Sequence, residues 1–111
     1  MSKGFALIVL LAAAVLEAGG DALIRVGLQS STLTKRVEFI LLGGFVLLSY
    51  GVVVNLPKWD FGQLLGIYVT LFFLVAQVIN YFAFGQKPGI AILVGGFLII
   101  SGGLIISFWK A

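Results

Sequence analysis

Residues 4–28 read GFALIVLLAAAVLEAGGDALIRVGL, an apolar run broken by only three charged side chains, Glu17, Asp21 and Arg25. A hydrocarbon core of about 30 Å takes roughly 20 helical residues at about 1.5 Å each. The stretch therefore predicts a transmembrane helix with charges inside it. Lys3, the run that starts at Phe5 and the small residues Ala12, Ala13 and Ala14 also have the layout of a secretory leader. The charged, patterned residues directly after the run argue for a retained helix instead.

Outward from this helix, the polar segment 29–36, with Ser30, Ser31, Thr32 and Thr34, predicts the first loop. A second helix is expected over about 39–56, ended by Pro57, with Lys58, Trp59 and Asp60 forming a short wet connection. A third is expected over about 62–84. Gly85-Gln86-Lys87-Pro88-Gly89 suits a tight turn into a fourth helix over about 90–109. Trp59 and Trp109 fall at predicted span ends, where tryptophan anchors in the interface. The expected fold is a single all-α membrane domain covering 1–111, a compact up-down-up-down bundle of four transmembrane helices. Strands fit poorly, because a transmembrane barrel needs short alternating segments and these runs are continuously apolar.

Composition agrees. Of 111 residues, 61% are hydrophobic and 10% charged, whereas soluble domains carry about 25% charged residues. Four spans nearly exhaust the chain, leaving no room for a soluble catalytic or nucleic-acid-binding domain. The net charge of +3 then belongs to loop and interface side chains. The chain has no cysteine and no histidine, which removes disulfides, thiol chemistry and the common zinc constellations. No metal, cofactor, nucleic-acid partner or enzymatic activity is expected.

Positive charge scarcely distinguishes the two faces. Lys3, Lys58 and Lys110 fall on the side of the termini; Lys35, Arg36 and Lys87 fall opposite, with Arg25 near that edge. The positive-inside rule has little to act on, so insertion in both orientations and an antiparallel homodimer follow as expectations. Glycine pairs recur at 19–20, 43–44, 95–96 and 102–103 without a fixed period. Their expected work is close helix packing, since lipid offers no hydrophobic drive for helices to associate. Gly95 and Gly102, like Gly96 and Gly103, lie seven apart and predict one smooth face on helix four that wants a partner.

Glu17, Asp21 and Arg25 are spaced i, i+4, which puts them on one stripe of helix one. An ionisable group near mid-membrane costs about 2.5–3.5 kcal/mol on insertion scales and usually faces a bundle interior or a watery cavity. Asp21 precedes Arg25 in the favourable order for an intrahelical ion pair, which leaves Glu17 without an obvious partner. A static ion-pair network that only fixes packing is the plain alternative. Otherwise two acids against one base leave excess negative charge, met most cheaply by a bound proton or cation. If the two compete for one site, each excludes the other, as exchange requires. In a dimer two copies of Glu17 would titrate as a coupled set. On helix three, Gln77 and Asn80 share a face with Tyr81 and Thr70 and serve either as substrate contacts or as interhelical hydrogen bonds. Tyr68, Tyr50 and Ser49 admit the same two readings.

With these residues in hand, the chain resembles the small multidrug resistance transporters over nearly its whole length, and within them the YnfA-like branch. The helix-one acid corresponds to Glu17, the following glycine to Gly20 and the basic residue to Arg25. Leu16-Glu17-Ala18-Gly19-Gly20 is similar to that branch's Leu-Glu-x-Gly-Gly. Phe61-Gly62-Gln63 followed by Tyr68 matches its helix-three opening, with Leu65 in place of the first tyrosine. Phe84-Gly85-Gln86-Lys87 matches the turn before helix four, and Gly95, Leu98, Ile99 and Gly102 match the dimerisation stripe.

The resemblance implies a dual-topology antiparallel homodimer in a prokaryotic inner membrane and proton-coupled export of small cationic compounds, with proton and substrate sharing Glu17. Together with the reading of the residues, this gives Asp21 and Tyr68 as expected proton- or substrate-binding residues beside Glu17, with Arg25, Gln77 and Asn80 in support. Two departures point from aromatic drugs toward a small polar cation: the helix-three tryptophan of the multidrug members is absent, with Tyr68 near its place, and Asp21 is a second acid. Two rival readings stand beside this one. A small ion channel of the fluoride type is disfavoured by the interval between Gly19-Gly20 and Arg25 and by two acids on an anion path. A non-transporting membrane subunit is the other.

Overall fold

The computed structural model describes residues 2–109. Lys110, counted above among the terminal charges, lies outside them. The chain forms four helices, α1 (Lys3–Leu28), α2 (Leu33–Val54), α3 (Phe61–Phe84) and α4 (Ile90–Phe108). All four are long and apolar enough to cross a membrane, which makes this a multi-pass membrane protein.

The helix ends have local causes. Ser2 caps α1 by accepting from the Phe5 N–H, and Asp60 caps α3 by accepting from the Gln63 N–H. Gly85 closes α3 in the left-handed region at φ 63°, a conformation that costs other residues about 1–2 kcal/mol. One boundary differs from expectation. α2 begins at Leu33 rather than near residue 39, so Thr34, Lys35 and Arg36 are helical. Hydropathy marks where a helix enters lipid, but Lys, Arg and Glu are good helix formers and carry the helix beyond it. Arg36 then donates to the Ser30 carbonyl and ties the short loop to the helix. α2 also stops at Val54, before Pro57; the residue before a proline is pushed out of the α region, and the Asn55 side chain takes the Gly51 carbonyl.

The helices alternate in direction. Lys3 donates to the Ser107 carbonyl at 2.7 Å, joining the start of α1 to the end of α4, while Arg25 lies over Phe84 at the other face. Helix backbones approach closely between α1 and α2, α1 and α3, and α3 and α4. The spatial order is thus α2–α1–α3–α4. This is a flattened array and corrects the expectation of a compact bundle. It measures 54 × 34 × 18 Å, and its radius of gyration of 15.6 Å exceeds the roughly 13 Å of a compact chain this long.

Glycine explains which faces meet. A Cβ built on Gly43 would stand 2.8 Å from the Gly20 carbonyl oxygen and 2.7 Å from Ile24 Cγ1, so α1 and α2 cross with backbone against backbone. On the other side of the array, Gly96 seats Phe73 and Gly103 seats Thr70, bringing α4 onto α3. The remaining glycine of each pair, Gly19, Gly44, Gly95 or Gly102, has nothing within 4 Å of such a Cβ. Adjacent residues on a helix point about 100° apart, so the single smooth face expected on α4 is two faces, one used and one open. The apolar core gathers along α1 and α3, where Leu10, Ala13, Ala14, Leu64, Ile67 and Tyr68 are buried with Val54 of α2. Trp59 packs against this cluster, while Trp109 is exposed.

The two glycines of one pair should respond differently to the same change. Gly43→Ala should destabilise the protein in detergent by about 1–3 kcal/mol through overpacking, and Gly44→Ala should leave its thermal midpoint unchanged. Equal effects on the two midpoints would contradict this account of the α1–α2 crossing.

Candidate functional site

Glu17 lies about 21 Å along α1 from Lys3 at 1.5 Å per residue, well inside the span, and is half-buried. It has the partner that spacing along one helix could not reveal. Tyr68 of α3 donates its hydroxyl to Glu17 Oε1 at 2.7 Å, and Tyr68 itself is only 4% exposed. Two aromatic neighbours fix the phenol ring. Tyr50 of α2 stacks on it at 5.8 Å with an interplanar angle of 29°, and Phe72, one turn along α3, packs against it at 6.1 Å. Three helices thus converge on one carboxylate.

The other predicted residues form a neighbouring site. A cavity of about 350 Å³ opens between the later halves of α1 and α3, with Asp21, Arg25, Gln77, Asn80 and Gln86 among its walls. Glu17 and Tyr68 are not in its lining, but their neighbours Ala18 and Phe72 are. The i, i+4 stripe explains the separation. Each step of four residues drifts about 40° around a helix of 3.6 residues per turn, so by Arg25 the stripe has turned through roughly 80°. The first acid and the base therefore face different neighbours.

The expected Asp21–Arg25 pair is not formed: among the described residues no carboxylate oxygen lies within 4.0 Å of the guanidinium. Arg25 stacks over the Phe84 ring instead, at 5.4 Å from its centroid. Gln77 and Asn80 do share a wall of this cavity, but the other two residues assigned to their face go elsewhere. Thr70 donates to the Ile99 carbonyl of α4, and Tyr81 is exposed with Phe82 against its edge. Ser49 bonds back to the Phe45 carbonyl in its own helix. On α4, Gly95 and Gly102 are open and Leu98 is 65% exposed, while Ile99 is partly covered.

Sequence reading missed Phe72, Phe84 and Gln86, and left Tyr50 undecided. Phe72 and Tyr68 are i, i+4 neighbours, a usable signal once Tyr68 is singled out. The stacking of Arg25 on Phe84 joins separate helices and leaves no local trace. Among the described residues no three acidic groups gather as a metal site. Comparison with protein-family models, with curated proteins and with solved structures yields no match. The functional reading therefore rests on the residues and their geometry.

A hydrogen bond to a charged group is worth about 1.5–3 kcal/mol in soluble proteins, while interhelical hydrogen bonds in membranes average about 0.6. For Tyr68→Phe we expect a loss of about 1 kcal/mol in denaturant unfolding, between those figures. Tyr50→Phe should cost less, because its contact is ring stacking and survives the change. A larger loss for Tyr50→Phe would show that the hydroxyl on Glu17 is not the bond that matters.

Proposed function

We propose that the chain is a proton-coupled antiporter that exports small cationic compounds by alternating access, with proton and substrate competing for Glu17. The observation that carries this reading is the 2.7 Å bond from the buried Tyr68 hydroxyl to Glu17. A single neutral donor holds the carboxylate in place without cancelling its charge. A group in that state favours a positive occupant, and a proton and a cation cannot both satisfy it. In this proposal the neighbouring cavity, which extends to Gln86 in the α3–α4 turn, is the approach from one membrane face, and its continuation to Glu17 requires Ala18 and Phe72 to part.

The working unit in this proposal is an antiparallel homodimer in a prokaryotic inner membrane. Two observations support a second copy. The open glycines Gly95 and Gly102, with exposed Leu98, leave one face of α4 free for close approach. Glu17 is also only half-buried in the flattened array, so a partner could cover the rest of it. The resemblance to the small multidrug resistance transporters points the same way.

Proteoliposomes loaded with candidate amines, guanidinium compounds and quaternary ammonium ions should exchange them for protons down an imposed pH gradient. Glu17→Gln should reduce that exchange to the level of protein-free liposomes while the protein remains folded. Coupling in Glu17→Gln equal to wild type would reject the mechanism, and a large electrogenic leak in wild type would favour a channel.

A further inference from the structure

The cavity at the later ends of α1 and α3 is more specific than a cation site requires, because it presents both signs of charge, separately. Asp21 is an acceptor only and accepts no hydrogen bond from another described side chain. Arg25, exposed like Asp21, has its guanidinium carbon 5.4 Å from the Phe84 ring centroid and no carboxylate partner among the described residues, and a guanidinium can receive a carboxylate in two parallel bonds. The two groups sit one turn apart, about 6 Å along the helix. Across the cavity, Gln77 and Asn80 add carboxamides that both donate and accept. Phe72 and Ala76 give the wall an apolar part.

We propose that this cavity binds a small zwitterion of the α-amino-acid type, with its carboxylate on Arg25 and its ammonium group on Asp21. The proposal rests on the exchange reading and names its substrate class: it keeps the cationic head and adds an anionic group beside it. A simple cation would meet the unpaired charge of Arg25, and a simple anion that of Asp21; a zwitterion satisfies both. A volume of about 350 Å³ lies near the lower end of the roughly 300–1,000 Å³ of small-molecule pockets, enough for one such compound and its side chain. Asp21 is also a turn closer to Glu17 than Arg25 is, so the ammonium end points toward the residue that exchanges it for a proton.

Three compounds with the same ring and chain length separate the charges: phenylalanine, phenethylamine and 3-phenylpropionate. Titration calorimetry on the detergent-solubilised protein should give phenylalanine an advantage of about tenfold or more over each of the others, equivalent to about 1.4 kcal/mol. Arg25→Gln should bring phenylalanine down to the affinity of phenethylamine. Arg25→Lys, which keeps the charge and guards against a folding defect, should retain part of the advantage. The proposal is overturned if phenethylamine binds wild type as tightly as phenylalanine, if none of the three binds, or if both Arg25 variants keep wild-type affinity for phenylalanine. Proton release by phenethylamine, abolished in Glu17→Gln and with no gain from the carboxylate, would reject the zwitterion and leave the exchange reading standing. A zwitterion preference lost in Arg25→Gln alongside unchanged proton coupling in Glu17→Gln would do the reverse.

Discussion

A carboxyl group in the middle of an apolar helix must be hydrogen-bonded, neutralised or wetted, and much of this structure answers that demand at Glu17. The hydroxyl of Tyr68 meets it from α3, and the ring that carries the hydroxyl is clasped by Tyr50 from α2 and by Phe72 from its own helix. The contacts of Tyr68 with Glu17 and with Tyr50 also pack one helix against another. The small residues of α1 allow this, because Ala13, Ala14 and Ala18 let the neighbouring helices come close enough for one phenol to reach across. Stability and the proposed chemistry therefore depend on the same few side chains.

The array has a division of labour written in its glycines. One member of each pair is spent within the chain, drawing α2 onto α1 and α4 onto α3, and the other faces outward. The result is a broad, thin molecule whose α1–α3 seam holds both the Glu17–Tyr68 pair and the charged cavity. Lys3 latched to the Ser107 carbonyl at one face and Arg25 on Phe84 at the other tie distant segments near opposite ends of the array. In the exchange reading, the charged cavity is the approach and the Glu17–Tyr68 pair is the point of competition.

Much of this was legible in the sequence, for reasons that also define where reading along the chain fails. Four continuous apolar runs announced four helices, because a span through lipid has to satisfy its own backbone. The acids and base of α1 stood out since charge is expensive there. Hydropathy puts the start of α2 near residue 39 because it marks only the lipid-embedded part of a helix, and Lys35 and Arg36 lie in the extension. Spacing alone favours an Asp21–Arg25 pair, but an aromatic ring from another helix, Phe84, lies against the guanidinium instead. Short loops suggest compactness, but they set the order of helices without closing the row. Resemblance and polarity mark Tyr68 in the sequence, yet only three dimensions reveal its contact with Glu17.

The central claim is that the Glu17 carboxyl gives up a proton when a cation arrives. Infrared difference spectroscopy reads this directly, through the C=O stretch of a protonated carboxyl group. At acidic pH, adding a bound cation should remove one such band in wild type, and the loss should be missing in Glu17→Gln. A band that persists unchanged while the cation binds, or that vanishes equally in Glu17→Gln, would contradict the account.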